Sequence, residues 1–465
     1  MPTSGASGAS SAPPPAGSRR WSAWGTDSAA DRPLAGPACH RIVTSAPRAR
    51  HRTGASLRST GRKQGGKAVK RAEFGRFFLA AAAVLTASAA AAAAGDWTVR
   101  WSNGHKIASE DGGFELKFGG RLQADFTFLG GDGALSAAED GFEFRRARLF
   151  MSGLIYDRVE FKAQYDFAGG GAAVKDLYLG FKNRWGDVRI GHFKEPFSLE
   201  ELTSSKYITF LERSLPVEAF AMSRNSGVAV LGHEGDRLNW GLGAFYDAGS
   251  TGKSTGSSNI DLSGRIGYRP IFADGGQRML HLGLGVARLH RGAGESLRFR
   301  THPEAHFAPR LADTGAVSAD GATLADLEVA GVFGAGWFAG EYFRADVDAP
   351  ASGDPTFGGA YLEAGYFLTG EHRRFKTRSG SFDRVKPKRS LRRDGGIGAW
   401  EIAARWSSVD LTDAAVNGGE QDDFTLGVNW YPNPATRLMI DWVHADVAGG
   451  PDQGDLFLMR WQVDF

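Results

Sequence analysis

From Phe114 to Phe128 the chain alternates without a slip. Phe114, Leu116, Phe118, Gly120, Leu122, Ala124, Phe126 and Phe128 take the even positions; Glu115, Lys117, Gly119, Arg121, Gln123, Asp125 and Thr127 take the odd ones. Successive side chains of a strand point to opposite faces, so this segment has one apolar and one polar face. Val159, Phe161, Ala163, Tyr165 and Phe167 alternate in the same way with Glu160, Lys162, Gln164 and Asp166. The last residues repeat it, with Phe457, Met459, Trp461, Val463 and Phe465 on one face up to the final position.

Further candidate strands lie at 142–155, 174–183, 186–193, 227–233, 237–247, 259–269, 279–290, 295–306, 324–335, 337–348, 358–369, 397–409, 421–432 and 436–446, making 17 with those above. A closed single-chain bacterial barrel takes an even number. The segment 295–306 is the one to drop, because Pro303 interrupts a hydrogen-bonded ladder. The reading is therefore all-β, a transmembrane antiparallel β-barrel of 16 strands over residues 113–465. No stretch after residue 95 offers 18 uncharged apolar residues, which excludes a bundle of membrane-spanning helices. The mean hydropathy of -0.28 fits a barrel whose apolar exterior and polar lumen average out.

The net charge of +3 conceals an asymmetry. Residues 1–94 hold 14 Lys/Arg and 3 Asp/Glu, leaving 41 basic and 49 acidic residues in 95–465. The body is thus acidic, and no nucleic-acid partner is indicated. Residues 69–94 read as a secretory signal: Lys70, Arg71 and Arg76 precede the apolar run 77–94, and three alanines precede Gly95. Residues 1–68 have no apolar periodicity and read as a mis-called or disordered extension, with translation starting near Val69. Residues 95–112 read as a short N-terminal periplasmic segment. The only cysteine, Cys39, lies in the leader.

Two segments break the hairpin rhythm. Residues 194–226 carry Phe197, Leu199, Tyr207, Ile208, Phe210, Leu211 and Phe220, too apolar for a solvated loop, and the barrel interior is available to them. Residues 371–394 hold ten Lys/Arg, suited to gathering anions at a pore mouth or to a solvated loop contacting lipopolysaccharide. Trp185, Tyr207, Trp240, Tyr246, Trp430, Tyr431 and Trp442 sit near strand ends, as interfacial aromatic belts do.

Several motifs, in order, resemble the phosphate-selective porins O and P. They are Gly119-Gly120-Arg121-Leu122-Gln123, Phe144-Arg145-Arg146-Ala147-Arg148-Leu149, Glu195-Pro196-Phe197-Ser198-Leu199-Glu200, Leu202-Thr203-Ser204-Ser205, Phe210-Leu211-Glu212-Arg213-Ser214, Leu368-Thr369-Gly370-Glu371, Gly398-Ala399-Trp400-Glu401 and Arg405-Trp406-Ser407. The resemblance implies a homotrimer whose long third loop folds inward to narrow the pore. It implies passive passage of small anions, with phosphate or polyphosphate ahead of chloride. By motif, Arg145, Arg146, Arg148 and Arg213 correspond to constriction arginines, Ser204 and Ser205 to loop hydroxyls that touch the anion, and Asp176 to a pore-facing acid. It also implies Sec-dependent export to the outer membrane, contact with lipid and lipopolysaccharide, and assembly through the terminal Phe465.

Adjacent Arg145 and Arg146 cannot both face the lumen of a regular strand, so a β-bulge is expected near Arg145. Glu201 stands where the family carries a loop lysine, and a carboxylate there is expected to repel phosphate. That favours, as an alternative, a general or differently selective porin. An enzyme is not indicated, since the histidines stand in no spacing that ties them to a nucleophile or a metal. No cofactor is expected.

Overall fold

The structure is a computed structural model and describes residues 97–102, 104–254, 259–392 and 395–465. The leader, the start near Val69 and residues 95–96 lie outside the described residues.

Sixteen strands form the wall: β1 (Phe114–Gly131), β2 (Gly141–Ile155), β3 (Val159–Asp166), β4 (Ala173–Phe181), β5 (Asp187–Lys194), β6 (Arg224–Glu234), β7 (Leu238–Tyr246) and β8 (Ile260–Ala273), then β9 (Arg278–His290), β10 (Gly321–Phe333), β11 (Gly336–Asp348), β12 (Thr356–Phe367), β13 (Ala399–Asp413), β14 (Val416–Asn433), β15 (Thr436–Val447) and β16 (Gln453–Asp464). Each pairs antiparallel with the next, and β16 pairs back with β1, from Gly454 opposite Gly131 to Asp464 opposite Arg121. Closure leaves no unpaired edge, which hydrocarbon would not tolerate. A hairpin of residues 97–101 and 105–109 extends this sheet beside the start of β1. Residues 295–306 leave the wall and contribute two two-residue strands to small separate sheets.

The alternation read from the sequence sets inside and outside. On β1, Leu122, Phe126 and Phe128 are exposed, while Arg121, Gln123, Asp125 and Thr127 are buried. On β16, Phe457 and Trp461 face out and Arg460 and Gln462 face in. The aromatic reading needs correction at Tyr207 and Tyr431. Tyr207 lines the interior, and Tyr431 is buried with its hydroxyl donating to Glu401, 2.7 Å away. Polar partners inside drew these rings away from the interface.

Connections that follow even-numbered strands run two to five residues, apart from 368–398. They share an end with the start of β1 and the terminus, where the Gly120 amide donates to the Phe465 carbonyl. Short turns mark the periplasmic end of a bacterial barrel. The described part of the basic segment, residues 371–392, is therefore periplasmic. Within it Arg373 and Arg384 are buried, whereas Lys376, Arg378, Lys386, Lys388, Arg389 and Arg392 are exposed. Arg373 lies over the Trp337 and Phe382 rings at 4.0 and 4.2 Å, and Arg384 pairs with Asp464.

Segment 195–223 is held by side chains from the inner face of the wall. Glu341 accepts from the Leu199 and Glu200 amides at 2.7 and 2.8 Å. Asp441 accepts from the Leu211 amide at 2.7 Å, and Ser407 from that of Leu215 at 2.8 Å. Asn429 and Arg437 donate to the Thr209 carbonyl. Phe197, Leu215 and Phe220 join one apolar cluster with Leu297, Phe299 and Phe343; Leu199 and Phe210 join another with Trp337, Phe367 and Phe382. The segment contains two short helices, α1 (Leu199–Leu202) and α2 (Leu215–Phe220). Ser198, at φ +64°, caps α1 by accepting from the Glu201 amide at 3.1 Å.

Candidate functional site

A cavity of about 560 Å³ lies between segment 195–223, the inner faces of β1 to β8 and residues 376–383. Thirteen Lys and Arg residues line it against four acids, Asp176, Asp187, Glu201 and Asp383. All the anticipated residues (Arg145, Arg146, Arg148, Asp176, Ser204, Ser205, Arg213 and Glu201) border it.

The two adjacent arginines reach the same side through a bulge. Gln123 pairs with Arg146 and Ala124 with Phe144, so Arg145 has no register partner. Arg145 makes a forked pair with Glu212 at 2.8 and 3.0 Å. Arg146 donates to Gln123 at 3.0 Å and lies 3.4 Å from the same Glu212 carboxylate. Arg121 and Arg148 then face each other directly in register. Like charges opposite one another weaken a sheet, so folding alone does not favour this pair. Arg148 is bound to Asp166 at 2.6 Å. Arg121 donates to the Ser205 hydroxyl at 2.6 Å and has no ion pair among the described residues. Ser204 accepts at its carbonyl from the Tyr207 amide, 2.7 Å away.

The acids hold cations together instead of cancelling them. Asp176 lies 2.5 Å from Lys162 and 2.9 Å from Arg224. Glu201 lies 3.1 Å from Lys194 and 2.9 Å from Arg213, and also accepts from the Ser223 hydroxyl. Glu212 serves Arg145, Arg146 and Arg460. A carboxylate shared by two cations leaves the group net positive while holding both in place. Burial by itself would push the Glu201 carboxyl up, but Arg213 and Lys194 hold it at about 2. Its charge is therefore countered twice, by Lys194 and by Arg213. Lys206 instead reaches Asp464 at 3.2 Å; burial lowers its ammonium to about 7 against the pull of that acid.

Sequence reasoning singled out neither Arg121, Lys162, Lys194, Arg224 nor Glu212. Arg121 and Lys162 stand on the polar face of alternating strands, which was signal enough. Arg224 lies three residues before the expected start of its strand.

A family description, phosphate-selective porin O and P, matches residues 116–465. This chain belongs to that family. Porin O of Pseudomonas aeruginosa is 27% identical over 426 residues, covering 80% of this chain and 93% of that protein. An uncharacterised protein of Caulobacter vibrioides is 29% identical over 364 residues, covering 76% of this chain and 72% of that one. Among solved structures, the anion-selective porin from Comamonas acidovorans covers 76% of this chain and all of its own, with a TM-score of 0.50 and 14% identity. At that identity the likeness concerns the fold. Family and closed barrel together make this protein an outer-membrane porin.

Proposed function

We propose that this porin passes anions passively, with phosphate or polyphosphate as the leading substrate. The observation carrying the proposal is the lining of the cavity, with thirteen cations against four acids in a chain whose body is acidic overall. Arginine stays charged at any working pH and offers a planar fork to two phosphate oxygens. Arg121 offers such a fork without an ion-pair partner among the described residues, and Arg145, Arg146, Arg148 and Arg213 add guanidinium charge beside the acids that hold them. The Ser204 and Ser205 hydroxyls add donors without adding charge. Lys175 and Lys376 border the cavity with no carboxylate partner among the described residues. Conduction requires binding in weak stages, so a graded series of partly paired cations suits it better than one unpaired cluster. A homotrimer inserted by the barrel-assembly machinery through Phe465, and reached by Sec export, belongs to the same proposal.

The second reading is a porin of broad or different selectivity. The wall behind segment 195–223 favours it, with Glu363, Glu401, Asp423 and Asp441 all buried there, beside Glu200 of the segment and Glu304 of the connection before β10. Titrating phosphate into chloride solution during planar-bilayer recording separates the two. The proposal predicts block of chloride current at low phosphate, weakened in Arg146→Ala and in Arg213→Ala. Current indifferent to phosphate in the native protein selects the second reading.

A further inference from the structure

Three carboxyl side chains converge at the start of segment 195–223; none of them lines the anion cavity, although Arg265, which pairs with one of them, does. Asp326 and Glu328 lie two apart on β10, hence on the same inner face, and Glu328 stands opposite Glu341 of β11 in register. One oxygen from each falls within 4.8 Å of the others, and all three residues are buried.

The hydrogen bonds among them are unequal. Glu328 takes a forked pair from Arg265 at 2.5 and 2.6 Å, and His281 Nε2 stands 2.9 Å from its Oε2. Glu341 Oε1 accepts from the Tyr361 hydroxyl at 2.7 Å and the Glu200 amide at 2.8 Å, and its Oε2 from the Leu199 amide at 2.7 Å. Asp326 is 0% exposed, no side-chain or backbone donor among the described residues reaches either of its oxygens, and its one hydrogen-bond contact is with the acid Glu328, which needs a proton between the two unless a cation takes that place. Counting two lone pairs per oxygen, Asp326 keeps four, Glu328 Oε1 one and Glu341 Oε2 one. Arg265 is the one permanently charged cation in contact with the three acids among the described residues. Fully buried carboxylates need pairing, and an Asp326 with nothing to accept from is the unmet requirement.

The backbone opposite makes room for these groups. Gly285 faces Asp326 and Gly283 faces Glu328 across the β9–β10 ladder. A Cβ at Gly283 would come within 2.1 Å of a Glu328 oxygen, and one at Gly285 within 3.2 Å of an Asp326 oxygen.

We propose that Asp326, Glu328 and Glu341 hold one calcium ion. The donors are all oxygen, which selects a hard cation. Calcium accepts irregular carboxylate geometry and a two-oxygen grip from Asp326. Magnesium demands an octahedron and keeps several waters, for which a fully enclosed Asp326 gives poor access. Because Glu341 also accepts from the Leu199 and Glu200 amides, the ion fastens the start of segment 195–223 to the wall.

The test uses the mature porin refolded into detergent free of lipopolysaccharide, whose phosphates also bind calcium. Equilibrium dialysis against calcium alone is expected to give one ion per chain in the native protein, lost in Asp326→Asn. Calcium is also expected to raise the unfolding temperature of the native protein and not that of the variant. Equal binding by both proteins overturns the proposal. So does a native protein that binds none, and a variant more stable without metal would then assign the cluster a shared proton only. If Asp326→Asn fails to refold, terbium emission from the native protein takes its place. Excitation through Tyr361 is expected to give calcium-displaceable emission that falls in Tyr361→Phe; absence of such emission overturns the proposal.

Discussion

A carboxylate set between Lys194 and Arg213 has a different acid–base life from one in water. With the Glu201 carboxyl held at about 2 against an ordinary 4.5, the folded state gains stability from its ionisation. The folded value is depressed, so this gain is complete above pH 4.5 and is lost as pH falls towards 2. Its size at neutral pH is about 3 kcal/mol. Glu201→Gln should therefore be less stable than the native protein by about that amount at pH 7, with the difference shrinking between pH 4.5 and 2. Urea midpoints at several pH values check this, and a pH-independent difference contradicts it. The sequence exposed Glu201 as a departure from the family but could not show its partners. Lys194 lies seven residues earlier at a strand end and Arg213 twelve later, and only the packing of segment 195–223 brings them together.

The bulge in β2 was legible as a conflict between two adjacent arginines and a change of phase from Phe142 and Phe144 to Ala147, Leu149 and Met151. The structure resolves it at one residue, since Arg145 alone lacks a register partner. Deleting Arg145 should restore continuous alternation, with Phe144 outward and Arg146 inward, so the barrel should still assemble. The Glu212 carboxylate would keep only Arg146 and Arg460, and anion preference should fall. Heat-modifiable migration on gels reads assembly, and reversal potentials read preference. A deletion variant that does not fold would show that the bulge is structurally required. Pro303 likewise marked 295–306 correctly as a segment outside the wall. The burial of Arg373 and Arg384 was not legible, because it depends on Asp464, Tyr207 and Trp337, which are distant in sequence.

Across the whole molecule, charge distribution matters more than total charge. Segment 195–223 separates a cationic cavity from an acidic wall, so an acidic barrel can still present cations to what passes through it. Period-two alternation specified the strands and which face is wet, since every residue on the wall reports its own side. It could not specify how far the lumen is filled, because that depends on long-range packing of 195–223, 291–320 and 368–398. The periplasmic segment borders the cavity through Lys376, Arg378 and Asp383. Removing residues 374–392 should raise single-channel conductance and lower anion preference together, as seen in single-channel records. Unchanged conductance would place that segment outside the conducting path.

Anion preference itself is tested most directly by the reversal potential of the purified native porin in a planar bilayer under a potassium chloride gradient. A potential with the sign of chloride permeation is predicted. A potential with the sign of potassium permeation, or none, would contradict the assignment of the cationic cavity as the conducting path.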